Sequence, residues 1–137
     1  MQLLNQAGDL GPKWFHVSLR ILVLLTDSNT LIKSNQIAEQ LKEDATFIRK
    51  ILAKFVEQKY VEAKGGRYGG YQLIKNPKEI TFKNVYLIVG NPQIVPYWSV
   101  PSIGAEQFIS LVISKAERDF QDVLESYTLQ DILDNKN

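Results

Sequence analysis

"FIRKILAKFVEQKYVEAKGGRYGGYQL", Phe47 to Leu73, changes its period partway along. In the first third, Phe47, Ile48, Ile51, Leu52, Phe55 and Val56 recur at helical spacing and make one broad apolar face. At 100° per residue the opposite face carries Thr46, Lys50 and Ala53, with Arg49 and Lys54 on its flanks. Then "YVEAK" (Tyr60–Lys64) alternates as a strand does, and "YQLI" (Tyr71–Ile74) alternates back. Gly65, Gly66, Gly69 and Gly70 fall between the two. A phosphate loop needs Lys and then Ser or Thr after its last glycine, and here Tyr71 and Gln72 follow Gly70. A dinucleotide fingerprint needs Gly-x-Gly-x-x-Gly opening a helix, and that spacing is absent. The glycines therefore read as a hairpin tip. Positive φ and close approach of the backbone to a partner both favour glycine there. A mobile hairpin with no partner has the same pattern.

Working back from this stretch, Asp44 is the expected cap of the helix that contains Phe47. Ahead of it, "KSNQIAEQLKED" places Ile37, Ala38 and Leu41 on one side of a short helix, with Ser34 as the expected N-cap. "DSN" at Asp27–Asn29 is turn chemistry. The first helix opens near Pro12 and runs through "WFHVSLRILVLLTD"; apolar positions nearly surround it, which places it in the middle of the domain. A short helix, a tight turn and a second helix with a basic outer face form a helix-turn-helix. A hairpin directly after it is a wing.

Downstream, "ITFKNVYLIVG" reads as a helix capped by Thr81 and stopped by Gly90. Residues 91–104, "NPQIVPYWSVPSIG", hold three prolines and read as an extended loop. From Ala105 to about Ser126 runs the longest helix. Phe108, Val112, Ala116, Phe120, Val123 and Tyr127 form its stripe, widened by Ile109, Ile113 and Leu124. Thr128 and Asp131 then stand in capping-box spacing before a last short helix. The expected class is mainly α with a small β-hairpin wing. The expected division is a winged helix-turn-helix in 1–90, a connecting loop in 91–104, and a dimerisation helix with its short C-terminal helix in 105–137. A helix of this length, roughly 33 Å, has more apolar stripe than so small a domain can cover. Either a second copy covers it across a two-fold axis, which also delivers two wings to a palindromic site, or Val17–Leu25 covers it within one subunit.

Composition narrows the chemistry. Of 137 residues 45% are hydrophobic, enough for a real core. There is no cysteine, which excludes disulfides, zinc–thiolate sites, cysteine-ligated clusters and cysteine nucleophiles. The most apolar run, Val17–Leu25, contains Arg20 and is too short for a membrane span, and the start of the chain lacks a basic n-region. The expectation is a soluble, cytoplasmic protein. Net charge is only +1, but it is unevenly spread: residues 1–75 carry 11 Lys and Arg against 7 Asp and Glu. Arg49 to Arg67 alone holds six basic and two acidic residues. A basic segment on a near-neutral chain fits one defined anionic partner; a merely solvated helix face is the plainer reading.

Arg49 and Lys50, near the start of the third helix, are placed to reach base edges, though Lys50 fits a phosphate as well. Thr46 suits a base or a phosphate. Lys54, Lys64 and Lys13 are assigned to phosphates, which position a protein on DNA without specifying sequence. The wing candidates are Lys64, Gly65, Gly66, Arg67, Tyr68 and Gly69. His16, the one histidine, is a structural or phosphate-facing residue, since a metal site needs several ligands. Tyr97 and Trp98 line a small-molecule pocket or plug an interface. No nucleophile–base–orienter set, metal triad or carboxylate pair is present, so the chain is not read as an enzyme, and no cofactor is assigned. A winged-helix module that docks an acidic protein partner, with no operator of its own, remains the alternative.

Taken together, "FIRKILAKFVEQKYVEAKGGRYGGYQL", "NPKEITFKNV" and the late "YTLQDIL" resemble the Rrf2 family of bacterial winged-helix regulators, over roughly Val17 to Leu133. The most specific part is a recognition helix leading into a wing that ends Gly69-Gly70-Tyr71-x-Leu73, followed by Pro77, Ile80 and Thr81. The resemblance implies a homodimeric transcription factor, usually a repressor, on a partly palindromic operator. It also implies that Asp44, Thr46 and Arg49 face the bases while the wing approaches the minor groove. If the chain senses anything, the expected effector is a small metabolite or a partner protein acting near residues 91–104. Three departures stand out. The loop that holds three cysteines in cluster-bearing members has none here. The wing arginine that often precedes the first glycine is Gly65, with Arg67 two residues on. The tyrosine common in the first helix is Val17, preceded by Trp14, Phe15 and His16.

Overall fold

Pro12 starts the first helix. It is extended (φ −60°, ψ 139°), and its carbonyl accepts the N–H groups of Phe15 and His16, each at 3.1 Å. The computed structural model describes residues 12–90 and 102–136. In these, α1 (Lys13–Asp27), α2 (Ser34–Leu41) and α3 (Ala45–Glu57) precede the hairpin β1 (Val61–Lys64) and β2 (Gly70–Leu73). A 3₁₀ turn (Pro77–Glu79), α4 (Phe82–Gly90), α5 (Glu106–Glu125) and α6 (Leu129–Asp134) complete the order. The fold is mainly helical with a two-stranded wing, as the alternation of periods implies.

α1 is the central element. It packs against α2, α4, α6 and β2, and buries Phe15, Val17, Leu19, Ile21, Leu22 and Leu25. Ile37 of α2 and Ile48, Leu52 and Phe55 of α3 meet it in the core. Burying each such side chain is worth about 1.5–3 kcal/mol, which decides the orientation of α3: its apolar face goes in and its cations stay out.

Two helix starts show how local chemistry sets the fold. Asp44 caps α3 as expected, its Oδ2 accepting the N–H of Phe47 at 3.0 Å. α2 begins one residue earlier than the capping rule indicated. Ser34 is its first helical residue and Lys33 its N-cap, because Oε1 of Gln36 accepts the N–H of Lys33 at 2.9 Å and so serves the helix start from inside. α2 then ends on Lys42 in the left-handed region (φ 56°), where the tight turn into α3 begins.

The hairpin pairs Val61 with Leu73, Glu62 with Gln72, Ala63 with Tyr71 and Lys64 with Gly70. A third segment joins it. Ile32, just before α2, exchanges two backbone hydrogen bonds with Tyr71 (3.0 and 2.8 Å). The wing is thus tied at its base to the helix-turn-helix rather than only following it in sequence.

The chain end returns to the same body. Thr81 and Asn84 cap α4 reciprocally (2.9 and 3.0 Å). Phe82 donates its N–H to Tyr127 at 2.9 Å, and Leu129 donates to Ile80 at 2.8 Å. Thr128 and Asp131 close the capping box of α6, whose Leu129 is 1% exposed in the core. α5 is different. None of its side chains is buried; it packs against α4, where Tyr86 meets Phe120 edge-on at 5.2 Å between ring centres. The expected stop at Gly90 has a packing reason too, since the Trp14 ring lies against its bare Cα. No helix among the described residues is long and apolar enough to cross a membrane.

Candidate nucleic-acid interface

The outer face of α3 is polar and cationic. Thr46, Arg49, Lys50 and Ala53 are exposed, while Ile48, Ile51, Leu52 and Phe55 are buried behind them. The Arg49 guanidinium donates to the Thr46 hydroxyl at 3.2 Å, so the two act as one polar surface at the start of the helix. Lys54 is half-buried and borders a shallow hollow with Glu57, Gln58 and Ile88, at the edge of this face. Asp44 is exposed, with one carboxylate oxygen committed to the helix cap.

Beside α3 stands the wing. A β-turn closed by the Gly69 N–H on the Gly66 carbonyl (3.1 Å) puts Arg67 and Tyr68 at its two corners. Tyr68 is 84% exposed, and the Arg67 guanidinium lies 5.7 Å from its ring centre. Lys64 is exposed where β1 ends. The four glycines divide into two jobs. Gly65 and Gly66 stand in open space, Gly66 with φ 90°, so a partner can approach the backbone there. Gly69 and Gly70 are buried: a β-carbon on Gly69 would meet the carbonyls of Lys64 and Gly65, and one on Gly70 would stand 2.8 Å from the Ile32 carbonyl. This second pair serves the hairpin's own packing.

The α1 candidates are less free than their types suggested. The Lys13 ammonium is 2.9 Å from Glu43 and lies over the Phe47 ring at 5.8 Å, so it ties α1 to the turn before α3. His16 is half-buried, and burial, helped by the Arg20 charge, holds its pKa below the ordinary imidazole value. This favours the uncharged ring near neutral pH. Sequence reasoning passed over Arg20, exposed on the same helix. It also passed over Lys33, whose Nζ donates to the Gly66 carbonyl at 3.4 Å. Tyr97 and Trp98 lie outside the described residues. Of the dimerisation candidates, Phe108 (71%), Val112 (50%) and Val123 (59%) are openly exposed, Ala116 is exposed, and Phe120 shares its ring between Tyr86 and solvent.

A helix with a cationic outer face, set after a tight turn and flanked by a glycine-tipped hairpin, defines a winged helix-turn-helix regulator that binds DNA. The pattern of the Rrf2 family, described as iron-dependent transcriptional regulators, matches residues 13–135, and the chain belongs to that family. It is 30% identical, over 131 residues, to the HTH-type transcriptional regulator NsrR of Bacillus licheniformis, covering 88% of this chain and 89% of that one. Its fold is similar to that of IscR from T. potens (TM-score 0.69, 19% identity, 90% of this chain and 85% of that one). It is similar as well to CymR, the global cysteine regulator of B. subtilis (TM-score 0.70, 19% identity, 92% and 97%).

An iron centre does not fit these residues. The chain has no cysteine to hold an iron–sulfur cluster and one histidine in all. Among the described residues no group of three His, Asp or Glu side chains is placed to hold a metal ion.

Proposed function

We propose that the chain acts as a homodimer that represses transcription by occupying a two-fold symmetric operator. Each α3 reads a half-site in the major groove through Thr46, Arg49 and Lys50, with Asp44 at the helix start and Lys54 on a phosphate. Each wing brings Lys64, Gly65, Gly66, Arg67 and Tyr68 to the adjoining minor groove, with Gly69 holding the hairpin's shape. The observation that carries the dimer is the exposed apolar face of α5. Ile109, Ile113, Ala116, Phe120 and Val123 follow one another at alternating steps of four and three, the seam of a helix pair. Laid antiparallel about a point near residue 118, that seam sets Ala116 opposite Phe120 of the partner subunit, small against large, and Ile113 opposite the partner's Val123.

Selection from a random duplex library at near-physiological salt, with Arg49→Ala in parallel, tests this. A two-fold motif that the variant blurs is the expected result. A bidentate arginine–guanine contact carries about 1–3 kcal/mol of discrimination. Log affinity is expected to fall with log salt at about −0.9 per phosphate contact, over roughly 6–10 contacts. No enriched motif, or a salt slope near zero, would overturn the proposal in favour of a module that docks on protein.

A further inference from the structure

The backbone of Lys33 is held on both sides. Its own N–H goes to Gln36 at 2.9 Å, and its neighbour Ile32 is locked to Tyr71 by two hydrogen bonds. Next to Tyr71 in β2 is Gly70, where only glycine fits against the Ile32 carbonyl. From this fixed base the Lys33 ammonium reaches the Gly66 carbonyl at 3.4 Å, the same oxygen that closes the wing turn by accepting the Gly69 N–H. Two donors on one carbonyl fix the plane of the peptide that begins Arg67. Gly65 and Gly66 have nothing within 4 Å of a notional β-carbon, so close packing does not hold the backbone at these two residues. Among the described residues the Lys33 ammonium is the side-chain group bonded to it.

We propose that Lys33 is a positioning residue for DNA recognition. By holding the Gly66 carbonyl against the start of α2, it fixes the direction in which Arg67 and Tyr68 leave the wing, and hence their offset from Arg49 and Thr46 on α3. It acts through the wing and reads no base itself. Both ends of the link are short in sequence from the bridge at Ile32 and Tyr71, so the recognition helix and the wing share one frame. The inference rests on the wing being a DNA contact.

The test compares Lys33→Met, which keeps the apolar stem and loses the donor, with Lys33→Arg and Arg67→Ala. The readouts are library selection, salt dependence of binding, and NMR order parameters of the 66–69 amides in the free protein. Lys33→Met is expected to blur the same operator positions as Arg67→Ala, to raise mobility at 66–69, and to weaken binding about three- to tenfold, as for one ordinary hydrogen bond. Lys33→Arg restores the preference. If Lys33→Met weakens all sequences equally, lowers the salt slope by about 0.9 and leaves 66–69 as rigid as before, Lys33 is a phosphate contact and the proposal is overturned. If Arg67→Ala blurs the operator but Lys33→Met does not, the positioning role fails and the wing contact stands. If Arg67→Ala itself changes nothing, the wing contact fails and takes this inference with it.

Discussion

The carbonyl oxygen of Lys64 occupies the place a β-carbon on Gly69 would take, and the Gly65 carbonyl stands 2.5 Å from that point. Both obstacles are backbone, so neither can swing aside. Gly69→Ala must open the hairpin or shift its register, and the expected loss of stability is about 1–3 kcal/mol, as for overpacking elsewhere. Gly65 is four residues away in open space without positive φ, and Gly65→Ala is expected to stay within about 0.5 kcal/mol. Urea unfolding of the two variants checks the contrast. Equal midpoints would mean that the glycines are interchangeable and that the buried pair has no packing role.

That contrast marks the limit of the sequence as a guide. Four glycines in six positions announced a hairpin tip, and the switch from helical to alternating period at Tyr60 placed the wing. The division of labour depends on Ile32, more than thirty residues upstream, coming to lie against Gly70. Nothing local to the glycines encodes it. Asp44 was legible because a cap is a contact three residues long. Ser34 misled because Gln36 meets the same need from inside the helix. Lys33 and Arg20 escaped notice for a similar reason. Neither carries a local signal in the sequence, and only the tertiary path of the wing gives Lys33 a partner.

Asp44 holds two roles that substitution can separate. Its carboxylate caps α3 through the Phe47 N–H, and in the proposed complex its exposed side also stands at the end of the helix that meets DNA. Asp44→Ala is expected to lower stability by about 1 kcal/mol, whereas Asp44→Asn, an equally good cap, should cost a few tenths at most. On DNA the order differs. If α3 lies in the groove as proposed, both variants remove a negative charge near phosphates, so both should bind non-specific duplex more tightly at low salt. Thermal melts alongside filter binding to a scrambled duplex check the pair. If Asp44→Asn melts as low as Asp44→Ala, the charge and not the cap supports α3.

His16 gives the fold a pH dependence with a definite sign. Its folded pKa lies below the ordinary value of 6.5, chiefly through burial and then through Arg20. Lys13 and Glu43 are the charged pair at the same end of α1. A group that is harder to protonate when folded leaves the unfolded chain holding more protons as pH falls through 6.5, so stability rises with pH across that window and levels off above it. His16→Gln is expected to flatten this slope, read from urea midpoints between pH 5 and pH 8. At pH 7.5 the imidazole is neutral, so the same variant should leave the salt slope of DNA binding unchanged. A slope reduced by nearly one unit would instead show a charged His16 on a phosphate.

The α5 seam makes the strongest demand on assembly. Ile113 and Val123 are exposed in the single chain, so replacing either with a charged residue removes no internal packing. If a second copy covers them, Ile113→Lys buries an unpaired ammonium at the interface. The cost is about 3–5 kcal/mol, a dissociation constant raised by two orders of magnitude or more. Val123→Glu should do the same. The antiparallel register adds a sharper outcome. In a mixture of the two variants, Lys at 113 of one chain meets Glu at 123 of the other, while the remaining pair is Val against Ile. Heterodimers should therefore form at concentrations where neither variant self-associates. Helices paired in parallel would set each residue against its own copy, and mixing would rescue nothing. Sedimentation of the separate and mixed variants distinguishes the two. A variant that stays dimeric alone, at the wild-type concentration, would remove this face of α5 from the interface.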